Sequence, residues 1–358
     1  MPTNQHYDTW IAQIRELHKD KRITQVRNFV WLMIGIYKSR SVYLSHVAGE
    51  ITGRAKLLSA TRRMSRFLDN PAIQVREWYE PIARQWLQAQ IHCLGEIRLI
   101  IDGSKVGFGH QLLMVSLAYR KRAIPIAWTW VKHVRGHSTA NKQIALLFYV
   151  RMLFPRKIPV FLVGDTEFGS VNLIKQLKKW RWSYVLRQKT NTLVRIAGQS
   201  TWSPFASHIQ KPGQTIWLGQ ASLTRQSACR TRLLLYWKTG QKEPWCLATN
   251  LSDSSTALQY YKRRMWIEEM FGDMKKHGFN LEDSMLRSFQ RLSRLTLAVA
   301  FLYAWLISTG VRAIRAGHRH LVDRKDRRDL CIFQIGLRLI QRRLTNALTI
   351  SFTLCSYL

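Results

Sequence analysis

Acidic residues are what this sequence has least of. Only 21 Asp and Glu stand against 56 Lys and Arg, a net charge of +35 in 358 residues. The excess is spread along the chain rather than confined to a tail. Such a surface repels itself unless it meets a polyanion, so nucleic acid is the implied partner, with a membrane surface the weaker alternative. Cysteine is also sparse: Cys93, Cys229, Cys246, Cys331 and Cys355 are odd in number, far apart and free of any CxxC or Cys/His zinc spacing. That argues against a disulfide scaffold and a thiolate zinc site, and for reduced thiols in a cytoplasmic protein. The polar N-terminus shows no leader pattern. Long apolar runs are missing as well. Residues 29–37 are too few to span a bilayer, and residues 295–311, though uncharged, include Thr296, Ser308, Thr309 and Gly310 and read as a buried core helix, so no membrane association is expected.

What is present falls into five segments. Residues 1–95 read as a helical, basic, DNA-binding region, in which Ser59 is a plausible N-cap for a turn carrying Arg62, Arg63 and Arg66 before a stop at Asp69-Asn70-Pro71. A helical bundle with a solvated basic face is the plainer alternative for those arginines. Residues 96–192 switch to an α/β pattern. The run 97–101 is a buried strand that delivers Asp102, residues 112–119 and 124–131 are two more strands, and a helix capped by Ser138 follows. The run 159–164 is the next strand and delivers Asp165; then come a helix over 171–180 and a strand over 183–187. This order describes a ribonuclease-H-like mixed sheet, in which sites gather at strand ends. Residues 193–252, rich in turn residues and short β-like runs, form a β-rich insertion. Residues 253–312 return to the core, and 313–358 are a basic C-terminal helical region. The loop bearing His133, Arg135, Gly136 and His137 offers either two imidazole ligands or a solvated, phosphate-facing turn.

Because acids are rare, candidate clusters are few. Between Arg98 and Ser252 the only ones are Asp102, Asp165, Glu167 and Glu243. Two of these directly follow apolar strands, where an unpaired carboxylate is costly to desolvate, so something cationic should face them. A third candidate lies in residues 260–276, which lack proline and have apolar residues at helical spacing. At about 100° per residue, Tyr261, Arg264, Glu268 and Lys275 share one face beside an apolar stripe of Ile267, Met270, Phe271 and Met274. On spacing alone, a solvated helix with ordinary Glu–Lys pairs remains an equal reading.

The pattern Tyr-x2-Arg-x3-Glu-x6-Lys, filled by Tyr261, Arg264, Glu268 and Lys275, resembles the signature of the insertion-sequence-four family of bacterial DDE transposases. The likeness runs from about residue 97 to 276. It implies that Asp102, Asp165 and Glu268 are the catalytic, metal-binding triad and that two Mg²⁺ ions, or Mn²⁺, act on phosphodiesters. It implies cut-and-paste joining of insertion-sequence ends to double-stranded target DNA through a hairpin intermediate, with Tyr261, Arg264 and Lys275 on the terminal phosphate. Arg187 resembles a DNA-contacting arginine, and Trp245 resembles a tryptophan that stacks on a flipped base; core packing is the other reading of Trp245. Thr166 departs from the family, where many members place an arginine. A homodimer on DNA follows from the need to join two ends, and an apolar face of Ile332, Ile335, Leu339 and Ile340 offers either its contact or packing on the parent chain. A DNA-binding relative without transposition activity and a structure-selective nuclease remain the alternatives.

Overall fold

The computed structural model describes residues 2–51, 53–132, 138–348, 350 and 352–354. His133, Arg135, Gly136 and His137, and with them the question of imidazole ligands, lie outside the described residues, as does Cys355. Helices α1 (Pro2–Leu17), α2 (Ile23–Ser39), α3 (Leu44–Gly49), α4 (Leu57–Asp69) and α5 (Val75–Leu94) come first. Strands β1 (Ile97–Val106), β2 (His110–Tyr119) and β3 (Arg122–Lys132) follow, then α6 (Ala140–Arg151), β4 (Val160–Gly164), α7 (Val171–Lys179) and β5 (Ser183–Gln188). Next come β6 (Leu193–Ile196), β7 (Ser203–Pro204), β8 (Thr215–Leu223), β9 (Cys229–Tyr236) and β10 (Trp245–Thr249). The chain closes with α8 (Ser254–Lys262), α9 (Met265–Met274), α10 (Phe289–Arg315) and α11 (Ile332–Thr345).

Contacts group the chain differently from the five segments. One unit, mostly helical, comprises Met1–Ala89, Lys105–His110 and Met270–Leu358; the other, built on the sheet, comprises Gln90–Ser104 and Gln111–Glu269.

In the sheet unit the strands form one sheet in the order β3-β2-β1-β4-β5-β10-β9-β8-β6-β7. Strands β1, β4 and β5 run parallel, and β10 is antiparallel to β5. Parallel central strands are covered on both faces and so read as unbroken apolar runs, which is the pattern of β1 and β4. The strands of the segment read as an insertion do not stand apart. They extend the sheet through β10, a five-residue strand that carries no strong sequence signal of its own.

In the helical unit the core forms around α10. Residues of this helix from Leu295 to Val311 are buried, and Trp305 and Phe301 meet Trp10 and Phe29 edge to face at 4.6 and 4.9 Å. It is the one helix among the described residues long and apolar enough to cross a membrane, and 89% of its apolar window is buried inside the protein. Helix α11 lies against it at two glycines. A Cβ on Gly310 would come within 2.1 Å of the Ile332 carbonyl oxygen, and one on Gly336 within 2.0 Å of that of Leu306. Ile335, Leu339 and Ile340 are thereby buried within their own chain. The apolar face read as a dimer contact is already covered, because backbone close approach lets α10 take it.

Helix starts also differ from the sequence reading. Lys56, not Ser59, is the N-cap of α4, and it makes no side-chain cap. Thr139, not Ser138, caps α6 by accepting from the Lys142 N–H. The freed Ser138 has another partner, described below.

Candidate active site

The register of the parallel strands builds the site. Ile101 of β1 is paired with Gly164 of β4, and Gly164 with Leu186 of β5. The next residue on each strand is Asp102, Asp165 and Arg187, so two carboxylates and a guanidinium come level on strands about 4.8 Å apart. Strand β1 does not end at Asp102, as the sequence reading has it, but runs on to Val106; it is the pairing with β4 that stops at Ile101. Gly164 is required beside Asp165, since a Cβ there would meet Phe168 Cβ at 2.9 Å and Ile101 Cγ2 at 3.0 Å.

Both aspartates are held in the same way. Asp102 Oδ1 accepts the Gly103 N–H at 2.7 Å, and Asp165 Oδ1 accepts the Thr166 N–H at 2.6 Å. Each Oδ2 then faces Arg264: Nη1 lies 2.9 Å from Asp102 Oδ2 and 3.8 Å from Asp165 Oδ2. Arg264 Nη2 donates to Glu268 Oε1. One guanidinium thus reaches all three acids.

This geometry depends on a break in the signature helix. Residues 260–276 are not one continuous helix. Helix α8 stops at Lys262 and α9 starts at Met265, with Trp266 N–H bonded to the Arg263 carbonyl and Ile267 N–H to that of Arg264. These i→i+3 bonds tighten the turn. Arginine is a good helix former, so local propensity does not make the break; the ion pairs of the buried Arg264 hold it. Beyond Met274 the chain enters a π-turn, Lys275–Phe279. Lys275 belongs to the helical unit, where it bonds the Lys105 carbonyl and pairs with Glu282 at 2.7 Å. Tyr261, Arg264 and Glu268 lie in the sheet unit and Lys275 in the helical unit, so the four do not share the face of one continuous helix.

Burial sets the electrostatics. Desolvation pushes the Asp102 carboxyl up to about 7, against the downward pull of Arg264 and the Gly103 N–H. Burial alone would weaken the charge on Arg264, but Asp102, Tyr261, Asp165 and Glu268 together outweigh it, and the guanidinium stays charged. Burial also raises the Tyr261 phenol, which stays protonated, and its hydroxyl has no hydrogen-bond partner among the described residues.

Beside the acids lies a cleft of about 620 Å³ lined by Arg187, Tyr236, Lys238, Trp245, Tyr261 and Arg264. Trp245, half-buried at the start of β10, lies between Tyr236, tilted against it at 5.4 Å, and Tyr261, which meets it edge to face at 5.0 Å. It is part of an aromatic wall rather than of the core. Tyr236 and Lys238 were missed from sequence; they lie at the end of β9, and their only signal is the Trp245↔Tyr236 register. Arg62, Arg63 and Arg66 lie in the helical unit and are exposed on α4, with Arg63 stacked over Trp31 at 4.8 Å.

Among the described residues no three His, Cys, Asp or Glu side chains gather as a ready metal site, because the acids surround Arg264 rather than one another. Their chemistry nonetheless fits a hard divalent cation. All the donors are carboxylate oxygens, all three reach one cationic group, and Asp102 is too desolvated for Arg264 to hold it fully ionised.

The chain belongs to the transposase DDE domain family, which matches residues 98–305, more than half of its length. That span includes Asp102, Asp165 and Glu268. No curated protein matches the chain. Among solved structures it is similar to a piggyBac transposase synaptic complex with hairpin DNA, at 11% identity over 97% of this chain and 83% of that one, with a TM-score of 0.42.

Proposed function

We propose that this protein is a DNA transposase that cuts insertion-sequence ends and joins their 3′-hydroxyls to target DNA. The observation that carries this reading is the convergence of Asp102, Asp165 and Glu268 on one site beside a basic, aromatic cleft. The order β3-β2-β1-β4-β5, with β1, β4 and β5 parallel, supports a ribonuclease-H-like core. The Tyr261, Arg264, Glu268 and Lys275 spacing supports membership of the insertion-sequence-four group.

In this mechanism Asp102, Asp165 and Glu268 would hold Mg²⁺ (or Mn²⁺), whose chemistry would be charge neutralisation at the scissile phosphate and acidification of a water or 3′-hydroxyl. Tyr261, Arg264 and Lys275 would grip the terminal phosphate, and Arg187 would contact the DNA beside it. Arg187 and Arg264 both line the cleft, and the Tyr261 hydroxyl has no hydrogen-bond partner among the described residues. A cationic clamp is apt there, since catalysis of phosphoryl transfer is largely positioning and charge stabilisation. Trp245 and Tyr236 offer a stacking platform for a base extruded as the 3′-hydroxyl crosses to the opposite strand in a hairpin intermediate. The +35 charge of the chain supports DNA as its partner, and joining two ends calls for a homodimer on DNA.

The test is a duplex carrying the DNA that flanks the gene, incubated with the protein, Mg²⁺ and a target plasmid. Cleavage followed by joined product is expected. Cleavage without joining would identify a structure-selective nuclease instead, and binding without cleavage an inactive relative.

A further inference from the structure

A buried polar network next to the triad has no part in the chemistry just described. Gln111, at the start of β2, is 2% exposed, and Gln143, on α6, is 1% exposed. Gln111 Nε2 donates to Glu167 Oε2 at 2.8 Å. The backbone N–H and the hydroxyl of Ser138 both donate to Glu167 Oε1, at 2.7 and 2.6 Å. Gln143 Nε2 reaches the Ser138 Oγ at 3.0 Å and the Glu167 carbonyl at 3.2 Å. Three donors from two separate stretches of chain, Gln111 and Ser138, therefore point at one carboxylate, and Gln143 braces Ser138 and the Glu167 carbonyl.

The position of that carboxylate gives the network a purpose. Glu167 is two residues beyond Asp165, in the short 3-10 turn Thr166–Phe168 that Asp165 itself caps. At the other end, the Gln111 amide lies over Gly103, the residue after Asp102: a Cβ on Gly103 would fall 2.1 Å from Gln111 Nε2. The two aspartates are thus linked outside the β1–β4 ladder. The link runs from Asp102 Oδ1 to the Gly103 N–H, by packing alone from Gly103 to the Gln111 amide, by hydrogen bond from Gln111 to Glu167, and back along the chain to Thr166, whose N–H binds Asp165 Oδ1.

Stability alone is a poor account of this arrangement. The amide oxygens of Gln111 and Gln143 are buried and have no hydrogen-bond partner among the described residues. A network that leaves acceptors unpaired in a low-dielectric interior costs stability relative to an apolar one. Departures of that kind are what a functional site is expected to contain.

We propose that Glu167 is a positioning residue for the reaction, fixing through Gln111 and Ser138 the spacing and orientation of Asp102 against Asp165. The inference rests on the transposase reading for its role in cleavage. Its effect on the spacing of the two carboxylates can be read from cation binding without turnover. Glu167→Ala removes the acceptor that all three donors share and lets the turn after Asp165 move independently of Gly103. Small misplacements of reacting groups are costly, with about 1 Å worth up to a hundredfold. Glu167→Gln is the rescue: its carbonyl can still accept from Ser138, and its amide can donate to Gln111 once that side chain turns its unpartnered Oε1 inward.

The experiment is titration of the full chain with Mn²⁺, followed by electron paramagnetic resonance, beside Mg²⁺-dependent cleavage of an end duplex. Glu167→Ala is expected to raise the half-saturating Mn²⁺ concentration and lower the cleavage rate, each by about tenfold or more. Glu167→Gln should return both to within about threefold of the starting protein. If Glu167→Ala folds poorly, Gln111→Met removes one donor at similar volume and should shift both readouts in the same direction. Unchanged Mn²⁺ binding in well-folded Glu167→Ala and Gln111→Met would overturn the proposal, and so would failure of Glu167→Gln to restore it. Should the starting protein bind Mn²⁺ yet cut nothing, the transposase reading fails while the positioning claim is still decided by the binding data.

Discussion

The two units bury different things. The helical unit fills its interior with rings: Trp10, Phe29, Trp78, Phe301 and Trp305 are all 3% exposed or less, and the one imidazole among them, His18, is 2% exposed beside Trp78. That unit buries charge too, at Asp273 and Arg294, but Arg294 donates to the backbone carbonyls of Leu68 and Ile73. In the sheet unit Asp102 and Arg264 are instead buried against each other, with a hydrogen-bonded network of glutamines beside them. Aromatic packing stabilises through buried area and ring geometry. Buried ion pairs contribute little net stability, yet are strongly destabilising when half is removed. A ring-filled interior in one unit thus stands against a buried ion pair in the other, and the contrast can be broken in several ways.

The largest effect should come from unpairing the buried charges. Arg264→Ala leaves Asp102 desolvated without its cation and should destabilise the protein by about 3–5 kcal/mol. Adding Asp102→Asn should recover much of that loss, and denaturant melts of the single and double variants check it. An equal loss in the double variant would mean that the arginine acts by packing alone.

Changing pH should move the two units in opposite directions. Burial lowers the His18 pKa from 6.5 to about 4, so the unfolded chain binds the proton more tightly than the folded one. Its contribution is full above pH 6.5 and is lost as the pH falls toward 4, by about 3 kcal/mol in all. Asp102 behaves in the reverse sense. Its folded pKa of about 7 lies above the unfolded 3.8, so the folded chain binds the extra proton, and stability falls as the pH rises from 3.8 to 7. Amide exchange read separately in α10 and in β1 and β4 should therefore show protection rising with pH in the first and falling in the second. His18→Phe and Asp102→Asn should each flatten one slope and leave the other.

Gly310→Ala probes the scaffold alone. The added Cβ would meet the Ile332 backbone, which cannot swing aside, so a loss of about 1–3 kcal/mol in stability is expected from thermal melts, with little change in Mn²⁺ binding. Trp245→Ala probes only the cleft. Stacking on an extruded base is worth roughly 1–3 kcal/mol, so hairpin formation should fall about tenfold to a hundredfold while first-strand nicking stays near normal. If nicking and hairpinning fall together in a gel assay, Trp245 is packing after all.

Much of the sheet was legible in the sequence because buried parallel strands read as apolar runs, and an acid that interrupts such a run stands out when acids are rare. Asp102 and Asp165 were found on that ground. What was not legible arises from tertiary contact. The break at Arg263 and Arg264 has no propensity signal; it exists because a buried guanidinium must reach three carboxylates. A continuous helical wheel therefore placed Lys275 with Glu268, whereas the chain has already left the α-helix by Lys275. Ser138 read as a cap because serine before a helix usually is one, but its partner Glu167 lies 29 residues away in sequence and Gln111 a further 56 from Glu167 in the other direction. Strand β10 was missed because five residues with a tryptophan and a cysteine carry too little alternation, and its absence made the β6–β9 segment look separate.

The central claim is that the acids around Arg264 carry out DNA strand cleavage. The most direct test is Asp102→Asn, which keeps the shape of the side chain and removes its charge. DNA binding by this variant should be within about threefold of the starting protein, since the basic surface is intact, while Mg²⁺-dependent cutting of an end duplex falls about a thousandfold or more. A variant that binds and still cuts at a comparable rate would contradict the account.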